Sequence, residues 1–127
     1  MFKTIRSSAP KVQLLHVTLC VIWNMAGLWQ LLSDLQPIGP TASMTTIGLL
    51  IVFAATLVLS ERNNQWVPYL LVSGLLGIGA VTAIFGALTK DPLLWPAEFW
   101  RYVGIAINSI GVVGFGLALA HIKHLRM

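Results

Sequence analysis

Polar side chains are scarce in this chain, so the few that interrupt its apolar stretches are where chemistry could occur. His16, Cys20, Asn24 and Gly27 follow one another at three- and four-residue steps, which places them on one face of a helix. Asn108 interrupts the last apolar stretch. At a rise of about 1.5 Å per residue, Asn24 falls about 18 Å from the start of its span and Asn108 about 9 Å from the start of its own, on the opposite side. Within a hydrocarbon core of about 30 Å these depths nearly coincide. The expectation is a hydrogen bond from Asn24 to Asn108 that fixes the first helix against the fourth, at about 0.6 to 2 kcal/mol in a bilayer. The alternative use of the same pair is a polar substrate site, because intramembrane polar groups often mark pathways.

His16, His121 and His124 all fall near one membrane face, and the last two are three residues apart. With Cys20 they are the candidate ligands for a metal. A histidine at a helix C-terminus is already favoured by the helix dipole, and haem ligation would place paired histidines deeper in a bundle, so no cofactor is expected. For nucleophilic catalysis Ser73, Ser109 and Cys20 each lack a base at a readable spacing. Paired carboxylates and a glycine-rich phosphate loop are also missing, which argues against an enzyme. Cys20 is the only cysteine, so no intrachain disulfide can form.

The elements that would position these groups follow from composition. Of 127 residues, 57% are hydrophobic and 9% charged, too few charges to clothe a soluble domain. Residues 12–33, 35–60, 63–89 and 102–122 contain no Asp, Glu, Lys or Arg, and each stretch is long enough for a spanning helix. Lipid leaves backbone groups unsatisfied outside helices and closed barrels, and the short alternating strands of a barrel are absent. The expected fold is therefore all-α. It is a single integral membrane four-helix bundle with short loops and spans of about 12–34, 41–60, 66–89 and 98–121.

Charge sets the expected orientation. Lys3, Arg6, Lys11, Arg62, Lys123 and Arg126 flank one side and only Lys90 and Arg101 the other, a positive-inside bias that puts both termini in the cytoplasm, most simply of a bacterial inner membrane. The basic residues sit beside spans rather than along a soluble face, so nucleic acid is not an expected partner. The first apolar run is too long for a signal-peptide core and is taken as an uncleaved span.

Pro37, Gly39 and Pro40 predict a tight turn between the first two spans, and a hydroxyl among residues 41–43 predicts the cap of the second. A fourth helix starting near Pro96 would exceed the bilayer core and must tilt or protrude. Trp95, Trp100 and Tyr102 on one side and Trp66 with Tyr69 on the other are expected to form interfacial aromatic belts. Small residues recur on the third helix at Ser73, Gly77, Ala80, Ala83 and Ala87, and on the fourth at Gly104, Asn108, Gly111, Gly114 and Ala118. Such stripes allow close approach, so these two helices are expected to pack against each other, or to offer one stripe to a partner chain.

Four short spans in 127 residues resemble the small multidrug resistance transporters in architecture, and Trp23, Asn24, Met25, Ala26 and Gly27 fall where that family carries its motif in the first helix. The family exchanges protons for cationic drugs through a membrane-embedded glutamate, whereas this chain has Asn24 there and no acidic residue inside a span. The resemblance therefore does not carry that mechanism over. The functional expectation is a non-enzymatic structural or accessory subunit that packs with other membrane subunits or with itself. A small oligomeric transporter or channel with a polar site between the first and fourth helices is the alternative, and a metal- or haem-binding redox component is a third reading.

Overall fold

The computed structural model describes residues 8–126, so the basic residues Lys3 and Arg6 lie outside the described residues. The described residues form helices α1 (Ala9–Leu32), α2 (Met44–Arg62), α3 (Trp66–Thr89) and α4 (Glu98–Arg126), with a short 3₁₀ turn at Pro92–Leu94 and no strand. All four are long and apolar enough to cross a membrane, and they fit an integral membrane protein.

The helix ends follow local chemistry. Pro10 enters the first turn of α1, where its missing N–H is not needed. Ser43 caps α2, its Oγ accepting the Thr46 N–H at 3.0 Å. Both α1 and α2 stop in the same way. Asp34 (φ 59°) and Asn64 (φ 52°) take the left-handed conformation. The next N–H then reaches back to an orphan carbonyl, Leu35 to Gln30 at 2.8 Å and Gln65 to Ser60 at 2.9 Å. Glu98 in the first turn of α4 and Lys123, His124 and Arg126 in its last complement the helix dipole. With 29 residues α4 extends about 43 Å, longer than a bilayer core, as expected.

The helices alternate in direction and pack as a ring, α1 on α2, α2 on α3, α3 on α4 and α4 on α1. One end of the bundle carries residues 8 and 126; the far end carries the connections 33–43 and 90–97. The core is concentrated toward the terminal end, around Val17, Leu57, Tyr69, Val72, Ala118, Ile122 and Leu125. Much of the perimeter is apolar and exposed, for example Ile22, Ile51, Ile78 and Phe85, as a lipid-facing surface requires.

Three glycines set the register of α4 on α1. A Cβ at Gly104 would meet Trp23 at 3.4 Å, one at Gly111 would lie 2.5 Å from the His16 ring, and one at Gly114 would meet Gln13 at 3.2 Å. The glycine stripe of α4 therefore packs against α1, which corrects the expectation that it faces α3 or a partner chain. The physical reason is the bulk of the opposing stripe: Trp23, His16 and Gln13 need a grooved surface. Helices α3 and α4 do pack together, through Gly77, whose Cβ position lies 2.8 Å from the Phe115 ring, with Ser73, Ala80 and Ala87 buried on the same side of α3. Ala83 is exposed instead, and Ala118 enters the core.

The aromatic belts are also corrected in part. Tyr69 is 0% exposed and Trp95 only 7%, so neither is a lipid-facing anchor. Tyr69 is drawn inward because its hydroxyl finds a buried partner, Gln13. Trp66 is half-buried with the Arg126 guanidinium 4.9 Å above its ring, Trp100 packs edge-on to Trp23 at 6.3 Å, and Tyr102 is exposed.

The first connection is not the tight turn that Pro37, Gly39 and Pro40 suggest. Residues 33–43 fold back along the last turns of α1, where Gly39 sits on the Trp23 indole and Gly27 receives Ala42. A Cβ at Gly39 would lie 2.4 Å from Trp23 Nε1, so only glycine admits this approach. Gln30 Oε1 accepts the Ile38 N–H at 2.8 Å, and Asn24 Oδ1 accepts the Ser43 N–H at 3.2 Å, tying the start of α2 to the middle of α1.

Candidate functional site

A ring of four helices leaves two diagonals, and these are closed at the terminal end alone. Gln13 of α1 crosses to α3, its Nε2 donating to Ser73 Oγ at 2.8 Å and its Oε1 accepting from the Tyr69 hydroxyl. His121 of α4 crosses to α2, its Nε2 donating to Glu61 Oε2 at 2.5 Å. Its ring also lies 5.4 Å from that of Tyr69. These links and the apolar core fill the terminal half.

From the level of His16 outward the side-chain bonds run along the sides of the ring instead. Arg101 of α4 donates through Nη1 to the Ala87 carbonyl of α3 at 3.1 Å. His16 donates through Nε2 to Asn108 Oδ1 at 3.3 Å, with the tautomer and amide orientation assigned from this partnership. With no diagonal bridged, the centre stays open. A cleft of about 240 Å³ is lined by His16, Cys20, Asn24 and Asn108 together with Thr46, Leu50, Phe53, Leu76 and Ala80. A second cleft of about 350 Å³ lies under the far-end loops, lined by Trp23, Gly39, Pro40, Lys90, Trp95 and Arg101. Both include Thr41, Gly79, Ala83 and Asn108 in their walls, so Asn108 stands where the two meet.

Asn24 and Asn108 thus share a cleft without being bonded to each other. Asn24 spends its oxygen on Ser43 N and donates to the Cys20 carbonyl at 2.8 Å, whereas Asn108 donates to the Gly104 carbonyl at 3.0 Å and pairs with His16. The expected direct bond is corrected by the register. With Gly104 opposite Trp23 and Gly111 opposite His16, Asn108 falls beside the turn that follows His16 and Asn24 lies more than a turn farther out.

The candidate metal ligands are divided. His16 and Cys20 line the cleft, while His121 and His124 stack at the terminal end with ring centroids 6.0 Å apart. Among the described residues no three His, Cys, Asp or Glu side chains converge. Ser73 is consumed by Gln13, and Ser109 bonds its own helix at the Ile105 carbonyl, 2.8 Å away. Neither is placed beside a base.

Two residues that organise the site were not anticipated, Gln13 and Glu61. Gln13 lies three residues before His16 and extends the same polar stripe toward the terminal end, a signal that was present in the spacing. Glu61 stands beside Arg62 at the end of α2 and looks like a loop residue. Its pairing with His121, sixty positions away, has no local signature.

Comparison with protein-family profiles, curated proteins and solved structures finds no match to this chain.

Proposed function

We propose that this chain is a non-enzymatic membrane protein that holds a small organic ligand between the middle and the far end of its bundle, entering from the far-end face. The observation that carries the reading is the convergence of His16, Asn24 and Asn108 with Cys20 and Thr46 on one open cleft, whereas the buried polar groups of the terminal end, Gln13, Ser73, Tyr69 and His121, are engaged in bonds across the closed bundle. Asn108 at the junction of the two clefts and His16 within the inner one form a pair that a ligand amide could join or replace, while Leu50, Phe53 and Leu76 supply an apolar wall for the body of a ligand.

The closed terminal half favours binding over free conduction, because a pore would need a continuous path past Gln13, Tyr69 and His121. Transport by this chain would require both diagonal links to open. A role built mainly on packing with partner subunits is less well supported, since the glycine stripe of α4 is taken up within the chain. On the positive-inside count, Lys11, Arg62, Lys123 and Arg126 put the terminal end in the cytoplasm, so the cleft faces the external side of the membrane.

A neutral amide probe tests the reading. Octanamide carries a head group matched to His16 and Asn108 and a slim apolar chain. Titrated into the protein in phosphatidylcholine nanodiscs, it is expected to change tryptophan fluorescence saturably, because Trp23 and Trp95 line the second cleft, which adjoins its site at Asn108. Asn108→Leu removes both polar functions at the junction and should weaken binding about tenfold, the scale of one lost buried polar partnership. A linear, unsaturable response in the parent protein, as in empty nanodiscs, would sink the reading.

A further inference from the structure

We infer that the outer cleft is an anion site, and that the ligand is a small amphiphile whose carboxylate or phosphate group sits between Lys90 and Arg101 with its apolar body directed toward Asn108. The inference rests on the cleft being a ligand site and names the class of ligand.

Three observations converge on it. Of the six Lys and Arg among the described residues only Lys90 and Arg101 belong to the far end, and both line the same 350 Å³ cleft although they come from different helix ends. Scattered solubilising charges would not meet in one concavity. Lys90 has no ion pair: among the described residues the two carboxylate contacts are Arg101 with Glu98 at 2.6 Å and His121 with Glu61. The residue is exposed beside Asp91, and its side chain runs back along Gly86, with Nζ 3.7 Å from that glycine's Cβ position.

Arg101 is the third. Its Nη1 and Nη2 are engaged by the Ala87 carbonyl and Glu98, yet its Nε is buried and lacks an acceptor. The guanidinium is partly exposed, but an inaccessible donor atom without an acceptor is still costly. Turned into the cleft, Nε would offer its proton to one anionic oxygen while a second meets Lys90, and charge-assisted bonds of this kind are about twice as strong as neutral ones. Trp23 and Trp95 flank the position with apolar faces, which excludes a bare, strongly hydrated ion in favour of an amphiphile.

The test compares octanoate with octanamide, probes that differ in charge and not in chain, again in phosphatidylcholine nanodiscs. Octanoate is expected to bind about tenfold more tightly than octanamide at low salt, with the advantage shrinking as salt is raised. Lys90→Gln should remove most of the advantage and leave octanamide unchanged; it touches no carboxylate, so folding is not at stake. Arg101→Gln should also remove it, with some fall in thermal midpoint because the contacts to Glu98 and the Ala87 carbonyl are lost with it. Equal affinity of the two probes, or an octanoate preference that survives both substitutions, overturns the anion site while leaving the neutral-ligand reading intact. Failure of octanamide alone strikes that reading instead. Adding phosphatidylglycerol to the nanodisc separates two sources of the anion: competition with octanoate identifies a lipid headgroup as occupant, and unchanged octanoate affinity identifies a free solute.

Discussion

Gly111→Leu is expected to prevent α1 and α4 from closing and to remove most of the folded protein from detergent extracts. The position has no spare volume, since a Cβ there would lie 2.5 to 2.8 Å from three atoms of the His16 ring. His16 cannot retreat cheaply, because it is buried and its Nε2 is held by Asn108. Overpacking of this kind costs about 1 to 3 kcal/mol or more, and the loss of the His16 bond adds to it. Gly116→Leu on the same helix is the control: nothing lies within 4 Å of its Cβ position, and leucine is the better helix former by about 0.8 kcal/mol. Thermal unfolding followed by circular dichroism should therefore give a large fall in midpoint for the first substitution and no fall for the second. Equal behaviour of the two would mean that the register of α4 on α1 is wrong.

Gln13→Leu is expected to be nearly as damaging, for an electrostatic reason. The substitution strands the Tyr69 hydroxyl and Ser73 Oγ, both on residues that are 0% exposed, without a partner. Each buried group left unpaired costs about 1 to 3 kcal/mol, which outweighs the additional apolar contact of the leucine. The diagnostic comparison adds Tyr69→Phe and Ser73→Ala to Gln13→Leu. Removing all three polar groups should recover much of the stability, because apolar groups of similar shape no longer need hydrogen bonds. A triple variant that unfolds earlier than Gln13→Leu alone would contradict the account of this network.

The helices, their number, the cap at Ser43 and the first-turn residues Pro10 and Glu98 follow from composition and local residue types, because a spanning helix is specified by its own apolar length and its ends by adjacent side chains. The residues that line the cleft were also visible as the polar stripe of α1 with Asn108. What sequence could not give was partnership. Asn108 chooses His16 over Asn24 through a register fixed by three glycine contacts on the opposite helix. The depth argument assumed instead that all spans start level with the membrane surface, and a 29-residue helix need not. Tyr69 fits an aromatic belt by position and leaves it because Gln13 sits opposite. Glu61 and His121 meet across a diagonal that depends on the whole ring being assembled. Each of these errors concerns the relative placement of two helices, the quantity a single periodicity does not contain.

The bundle is cleft toward its far end and closed at the terminal end by the Gln13 and His121 links, and the chain's lone thiol can report on this. Cys20 is half-buried and lines the inner cleft. The protein is reconstituted in vesicles with a protease-cleavable C-terminal tag to fix sidedness, and the anionic reagent sulfonatoethyl methanethiosulfonate is applied to one face at a time. The account predicts modification of Cys20 from the far-end face, slowed by octanoate, and none from the face that carries the termini. A companion variant with Cys20→Ser and Ala83→Cys, its thiol placed where the two clefts meet, should behave likewise and faster. Modification from the terminal face, or protection of both thiols from both faces until the protein is unfolded, would contradict it.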